Sequence, residues 1–373
     1  MPDRSVIERV VVRTARISAK TDWSFVQVTC SDGIVGIGEA TLSGSGCSLA
    51  AFAPLLERRL VGRPAMPNAV VAAREEMRAG LVQAAVSSAA EQALWDAQGQ
   101  RLGQPVADLL GGRLRDRVPL YANVNRGIDE RTPEGFAAAA RRAVAAGYDA
   151  VKIAPFDGLD DPGSRADEAL FRAGLERIEA TRAAVGGKAR VMVDCHWRLD
   201  EKLAARLLDE AARLDLFWVE CPLPETAGQL PALRRLRSKA TDVGVRLAGM
   251  EKGTGIADFQ PYVVEGLYDV LMPDVKYVGG LAATRHLAAL AADCGVLIAP
   301  HNPSGPVCHA ASVHVAATLA NLLFLEVQFE ESPLFETLVE SPIVHATGSA
   351  RVPDRPGIGV MLEETVMAEV ETA

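Results

Sequence analysis

The sequence predicts an α/β fold, a (β/α)8 barrel carrying a separate α+β capping domain. Three observations predict it. Residues 5–110 run strand, strand, strand and then helix, with no return to strands. From residue 117 onward, short apolar runs alternate with amphipathic helical stretches. Polar residues end one apolar run after another: Asp194 closes ARVMVD, Glu220 closes LFWVE, Glu251 closes VRLAGME, Asp274 closes DVLMPD, and His301 follows GVLIAP. A carboxylate at the end of a buried strand is costly unless it is paired or binds a cation. A series of them suggests one site assembled from several strand ends, which is the geometry of a barrel's C-terminal mouth.

Taken in chain order, RVVVRTARI and WSFVQVTC alternate apolar and polar residues. Ser31-Asp32-Gly33 supplies a turn before IVGIGEA, so the first three strands read as antiparallel. Residues 49–110 are Ala-rich and helical in pattern. This order defines a capping domain over 1–116. Strands are expected near 118–123, 149–154, 189–194, 216–220, 245–250, 269–274, 295–300 and 322–326, with helices such as 134–147, 167–185, 201–213 and 280–293 between them. Their apolar continuity suits parallel strands covered on both faces, and they place the barrel at 117–340. A doubly wound sheet would gather ligands at one switch point and not from five consecutive strands. The segment 341–373 contains Pro342, Pro353, Pro356 and Gly357. It is expected to be irregular and to pack back on the capping domain.

Composition narrows the classes of function. The chain has 373 residues, 49% of them hydrophobic, and a net charge of −9. No Lys/Arg-rich run suggests nucleic acid as a partner. No apolar stretch reaches membrane-spanning length, and MPDRSVIERV does not read as a signal peptide. The six cysteines form no CxxC pattern and read as reduced thiols of a cytoplasmic protein.

Between Asp194 and Glu220 lie 26 residues of chain and between Glu220 and Glu251 lie 31, each about one strand-plus-helix unit. A lone strand-end acid usually caps a helix or pairs with a base. Three in order make a hard-cation site, most naturally for Mg²⁺.

The stretch SSAAEQALWDAQGQRLGQPVADLLGG, followed by VDCH, FWVECP, AGMEKG, MPDVKYVGG and LIAPHNPSGP, resembles the enolase superfamily in its mandelate racemase-like group. Its last two phrases are similar to those of galactonate dehydratase-like acid sugar dehydratases. The resemblance spans nearly the whole chain. It implies a modified (β/α)8 TIM barrel capped by the N-terminal region and the C-terminal tail, one Mg²⁺ held by Asp194, Glu220 and Glu251, and a symmetric homo-oligomer between dimer and octamer. It also implies a His301–Asp274 dyad, His196 as general acid, Lys152 as the first lysine of a K-x-K motif, and Glu326 as the acid of the last strand.

The chain departs from the family pattern at three points. Ala154 stands where K-x-K has its second lysine, which counts against a two-base racemase. E-C-P replaces E-E-P at Cys221. A-G-M-E replaces A-G-E, which shifts Glu251 by one residue.

The implied reaction is dehydration of a sugar acid, an aldonate or aldarate. The proton alpha to a small-molecule substrate's carboxylate is removed to give a metal-stabilised enediolate. The beta-hydroxyl then leaves, giving a 2-keto-3-deoxy acid. An epimerase, racemase or lactone cycloisomerase would use the same enolate. A catalytically idle metabolite sensor is the reading outside enzymes. His309 and His314 read as packing or surface residues and Lys276 as a solvated or ion-paired lysine. The loop 39–47 reads as a lid over the mouth or an ordinary turn.

Overall fold

The computed structural model describes residues 5–18, 21–42, 44–74, 80–159 and 165–372. The capping sheet is formed by β1 (Ile7–Arg16), β2 (Asp22–Cys30) and β3 (Val35–Glu39), all antiparallel. Four helices follow: α1 (Gly46–Leu60), α2 (Asn68–Arg74), α3 (Leu81–Leu102) and α4 (Val106–Leu109). The long helix α3 lies directly on β3. A Cβ at Gly36 would sit 1.9 Å from the Ala93 carbonyl oxygen, and one at Gly38 2.0 Å from that of Ala89. Only glycine allows two backbones to approach this closely. The apolar faces of the sheet and α3 enclose a core that includes Val26, Val28, Leu49, Ala89 and Ala93.

The barrel strands are β4 (Arg117–Asn123), β5 (Ala150–Ile153), β6 (Arg190–Asp194), β7 (Leu216–Glu220), β8 (Arg246–Gly249), β9 (Val270–Leu271), β10 (Leu297–Ile298) and β11 (Leu325–Gln328). Neighbours pair in parallel from β4 to β10, and β11 pairs with β4. An Ile298–Leu322 bridge joins the remaining edges. The connecting helices are α5 (Pro133–Ala145), α6 (Arg165–Val185), α7 (Glu201–Arg213), α8 (Leu230–Val243), α9 (Ile256–Val264), α10 (Val275–Val278), α11 (Leu281–Asp293) and α12 (Pro306–Ala317). The helix starts follow local chemistry. Thr132 and Asp200 cap α5 and α7 by accepting the Gly135 and Leu203 amides.

After β11 the chain makes only one helical turn, α13 (Leu334–Thr337), and the tail then departs from the irregular course expected of it. It forms β12 (Val339–Glu340), β13 (His345–Ala346), β14 (Ser349–Arg351), β15 (Met361–Leu362), α14 (Glu364–Val370) and β16 (Glu371–Thr372). β14 pairs with the start of β4, and β16 pairs with β1. The prolines punctuate these short strands and supply no ladder donors there.

Two buried carboxylates clamp the capping domain to the barrel. Glu39 accepts the Gly305 and Cys308 amides at 2.6 and 2.8 Å, at the start of α12. The loop reading of 39–47 therefore fails at its first residue, which closes β3 and is fully buried; Ser43 lies outside the described residues. Glu91 of α3 accepts the Leu281 and Ala282 amides that open α11, and the Trp95 indole N–H. Glu91→Ala strands the buried Leu281 amide, at about 1–3 kcal/mol for such a group. Its urea midpoint is expected to fall accordingly, with an unchanged far-ultraviolet circular dichroism spectrum.

His309 and His314 are both buried in α12. The Ala107 amide donates to His314 Nδ1 at 3.2 Å, which requires a neutral ring. Burial pushes His314 down to about 4 and His345 likewise to about 4. Such groups stabilise the fold fully above the unfolded histidine value near 6.5, and that stability is lost as pH falls through the folded value. The unfolding free energy is expected to drop between pH 6.5 and 4, by on the order of 3 kcal/mol per deeply buried histidine. His314→Gln should flatten that fall in urea titrations taken across the window.

Candidate active site

Two residues per strand build the site. The lower barrel is filled by Tyr121, Ala150, Met192, Trp218, Ala248, Val270, Met272, Ala299 and Phe324. Side chains two apart share a face of a strand. Counting two onward from these residues reaches Asn123, Lys152, Asp194, Glu220, Asp274, His301 and Glu326. An apolar plug therefore lies beneath a polar layer, and that layer opens at the C-terminal mouth. Glu251 breaks the count: it comes three residues after Ala248, with Met250 between them at φ +73°. The left-handed turn rotates the chain so that the third residue, not the second, enters the layer. The offset of A-G-M-E is thereby absorbed within one residue.

Asp194, Glu220 and Glu251 are buried, with one carboxylate oxygen from each lying within 4.8 Å of the others. Lys152 Nζ lies 2.7 Å from Glu220 Oε1 and 3.1 Å from Glu326 Oε1, and the Trp218 indole donates to Glu220 Oε2 at 2.9 Å. Glu251 Oε2 is buried without a hydrogen-bond donor. Burial, opposed by Lys152 but reinforced by Asp194, pushes Glu220 up to about 8. Burial and Asp194 hold Glu251 well above the carboxylate range. Asp194 goes the other way: burial is outweighed by His196 and Lys152, which hold it low. Three converging oxygen donors, one of them orphaned, fit a hard divalent cation such as Mg²⁺. These three would hold it; among the described residues no other such cluster occurs.

The dyad lies beside this cluster. His301 Nδ1 is 2.8 Å from Asp274 Oδ2, and His301 Nε2 is 3.3 Å from Glu251 Oε2. Burial lowers His301, partly offset by Glu326 and Asp274. Glu326 is held at about 2: burial is overcome by Lys152, His301, the Asn123 amide at 2.6 Å and the Asn302 backbone N–H at 3.0 Å. On the other flank His196 is 44% exposed, with Nε2 2.8 Å from Asp194 Oδ2. Strand alternation does not place it there, because β6 ends at Asp194. His196 and Trp197 are both left-handed, at φ +49° and +59°, and double the chain back so that the His196 amide donates to Asp194 Oδ1 at 2.9 Å.

The structure thus brings all eight residues singled out in the sequence to one mouth, and it adds others. Lys276 is fully buried, its Nζ 2.7 Å from Asp274 Oδ2 and bonded to Ser304 Oγ, so Asp274 serves both Lys276 and His301. Glu225 is partly buried near the acid cluster and accepts the Met250 amide at 2.6 Å. Nothing in the period of the strands marks Glu225. The only signal was an acid five residues beyond Glu220 in a proline-rich turn. Ala154, the departure from K-x-K, is buried.

Residues 135–366 match the Enolase C-terminal domain-like family, and residues 6–111 the Mandelate racemase / muconate lactonizing enzyme N-terminal domain family. The chain is 33% identical over 350 residues to the D-gluconate dehydratase of Thermoproteus tenax, covering 92% of this chain and 68% of that protein. It is 32% identical over 386 residues to the D-xylonate dehydratase of Haloferax volcanii, covering 97% and 89%. A mandelate racemase/muconate lactonizing enzyme-like protein from Rubrobacter xylanophilus superposes with a TM-score of 0.89 at 30% identity, covering 100% of this chain and 98% of that one. With both of its domains matched and the acid cluster at the barrel mouth, this chain belongs to the enolase superfamily, in the mandelate racemase/muconate lactonizing enzyme group.

Proposed function

We propose that the protein is a Mg²⁺-dependent dehydratase of a sugar acid, an aldonate or aldarate. One observation carries the reading: the acid cluster is flanked by two histidines, His301 beside Glu251 and His196 beside Asp194. The relatives named D-gluconate, D-xylonate and D-galactonate dehydratases support the substrate class. A divalent cation held by Asp194, Glu220 and Glu251 supplies positive charge against a substrate carboxylate that gains negative charge when its alpha-proton leaves.

His301 is the base. Burial keeps its imidazole neutral, and Asp274 fixes the ring, with Nδ1–H donated to the carboxylate and Nε2 free to take the alpha-proton. Lys152 adds a fixed ammonium at the floor of the site, and Glu326 holds that ammonium in place. His196, at the open edge, donates a proton to the beta-hydroxyl. The C–O bond breaks, water leaves, and the resulting enol becomes a 2-keto-3-deoxy acid. The alanine at position 154 supports a single-base reaction over a racemase, which needs a second base opposite the first.

A library of sugar acids incubated with Mg²⁺ and assayed for 2-keto-3-deoxy product tests the proposal. The expected result is turnover of at least one aldonate or aldarate, abolished by EDTA and restored by Mg²⁺. A product of unchanged mass would replace this reading with an epimerase or cycloisomerase. Metal binding without turnover or deuterium uptake on the whole library would favour a sensor.

A further inference from the structure

Glu225 ties together the three turns that deliver the metal ligands. Its Oε1 accepts the Met250 amide at 2.6 Å, one residue before Glu251. The same oxygen lies 3.8 Å from the Cys221 thiol, one residue after Glu220. The Trp197 side chain, three residues after Asp194, lines the same cavity as this carboxylate. All three residues lie in the left-handed region, Met250 at φ +73°, Cys221 at +44° and Trp197 at +59°. None is a glycine, so each turn is disfavoured by its own Cβ and needs outside support. Gly249 leaves the space for this arrangement: a Cβ there would lie 2.4 Å from Glu225 Oε1.

The need is greatest at Met250. The other strands reach the polar layer by simple alternation, whereas β8 must turn through Met250 to deliver Glu251 as the third residue and not the second. We infer that Glu225 is a positioning residue for the metal site, holding the Met250 turn that aims Glu251 and bracing the Cys221 and Trp197 turns beside Glu220 and Asp194. The inference rests on the proposed metal role of the three acids. Residues that orient metal ligands from behind typically change affinity about 10–100-fold when lost.

The test is Mn²⁺ binding to metal-stripped full-length protein, with free Mn²⁺ read by electron paramagnetic resonance and Mg²⁺ by competition. Glu225→Leu is expected to weaken Mn²⁺ about 10–100-fold. Glu225→Gln keeps an oxygen for the Met250 amide and should stay within a few-fold of wild type. Met250→Gly in the Glu225→Leu background should recover several-fold, because glycine takes the left-handed turn unaided. Urea midpoints of the same variants separate aiming of Glu251 from a general loss of stability, since the recovery in affinity should exceed any change in midpoint. If Glu225→Leu does not fold, Glu225→Asp, too short to reach Met250, is read in its place, alone and with Met250→Gly. Wild-type affinity in the folded Leu or Asp variant overturns the inference, as does the absence of recovery with Met250→Gly. Failure of the wild type itself to bind Mn²⁺ would overturn the metal assignment instead, so the two failures are distinct.

Discussion

His301→Asn is expected to lower kcat for dehydration by a factor of about 10³ or more, since a well-placed general base contributes about 10²–10⁴-fold. Asparagine approximates the ring's size and can still donate to Asp274 Oδ2, now 2.8 Å from Nδ1. The variant should therefore fold and bind metal as the wild type does. The informative companion is His196→Asn. If His301 removes the alpha-proton and His196 assists departure of the hydroxyl, the two variants part company in heavy water. His301→Asn should neither dehydrate nor exchange the alpha-proton. His196→Asn should dehydrate slowly but still wash deuterium into recovered substrate, because the base is intact and the leaving group is stalled. Exchange in the His301 variant at the wild-type rate would transfer the role of base to another residue. Full dehydration in the His196 variant would remove that histidine from the reaction.

Lys152→Met is expected to be the most damaging substitution for the metal-free fold. The Lys152 ammonium is 1% exposed and lies between Glu220 and Glu326, both with fully buried side chains. Removing one partner of a buried pair leaves an uncompensated charge, at about 3–5 kcal/mol. Glu326, which Lys152 helps to hold low, would then lose its nearest cation, and the loss should be visible as a large fall in urea midpoint at pH 7. Lys152→Met combined with Glu220→Gln should recover part of that loss, since a neutral pair is not penalised in the same way. The double variant would lack a metal ligand and should stay inactive. Additive destabilisation in the double variant would show that the two side chains do not depend on each other.

Much of this site is legible in the sequence because a strand has a period of two. Once ARVMVD, LFWVE, DVLMPD and GVLIAP are recognised as strands ending at a shared mouth, Asp194, Glu220, Asp274 and His301 fall into one layer by counting alone. Lys152 and Glu326 obey the same count. Glu251 does not, and its position depends on the backbone angle of Met250, which no propensity of methionine announces. His196 is a similar case: it reaches Asp194 through two left-handed residues and not through the pleat. The tail's strands were missed because each has only two or three residues, and two of them are held by partners hundreds of residues away, as Thr372 is against Thr14.

The sequence by itself determined the succession of strands and helices, the buried polar layer and the identity of its acids, because these follow from local periodicity and from the cost of burying charge. Only the tertiary structure decided which cation serves which carboxylate. Lys152 bridges Glu220 and Glu326, and Lys276 shares Asp274 with His301. It also decided that Glu39 and Glu91 lock the cap onto the starts of α12 and α11, and that Glu225 bonds the backbone next to Glu251. Such contacts join positions from different strands and domains, and their energies depend on distance and burial, which closure of the barrel sets.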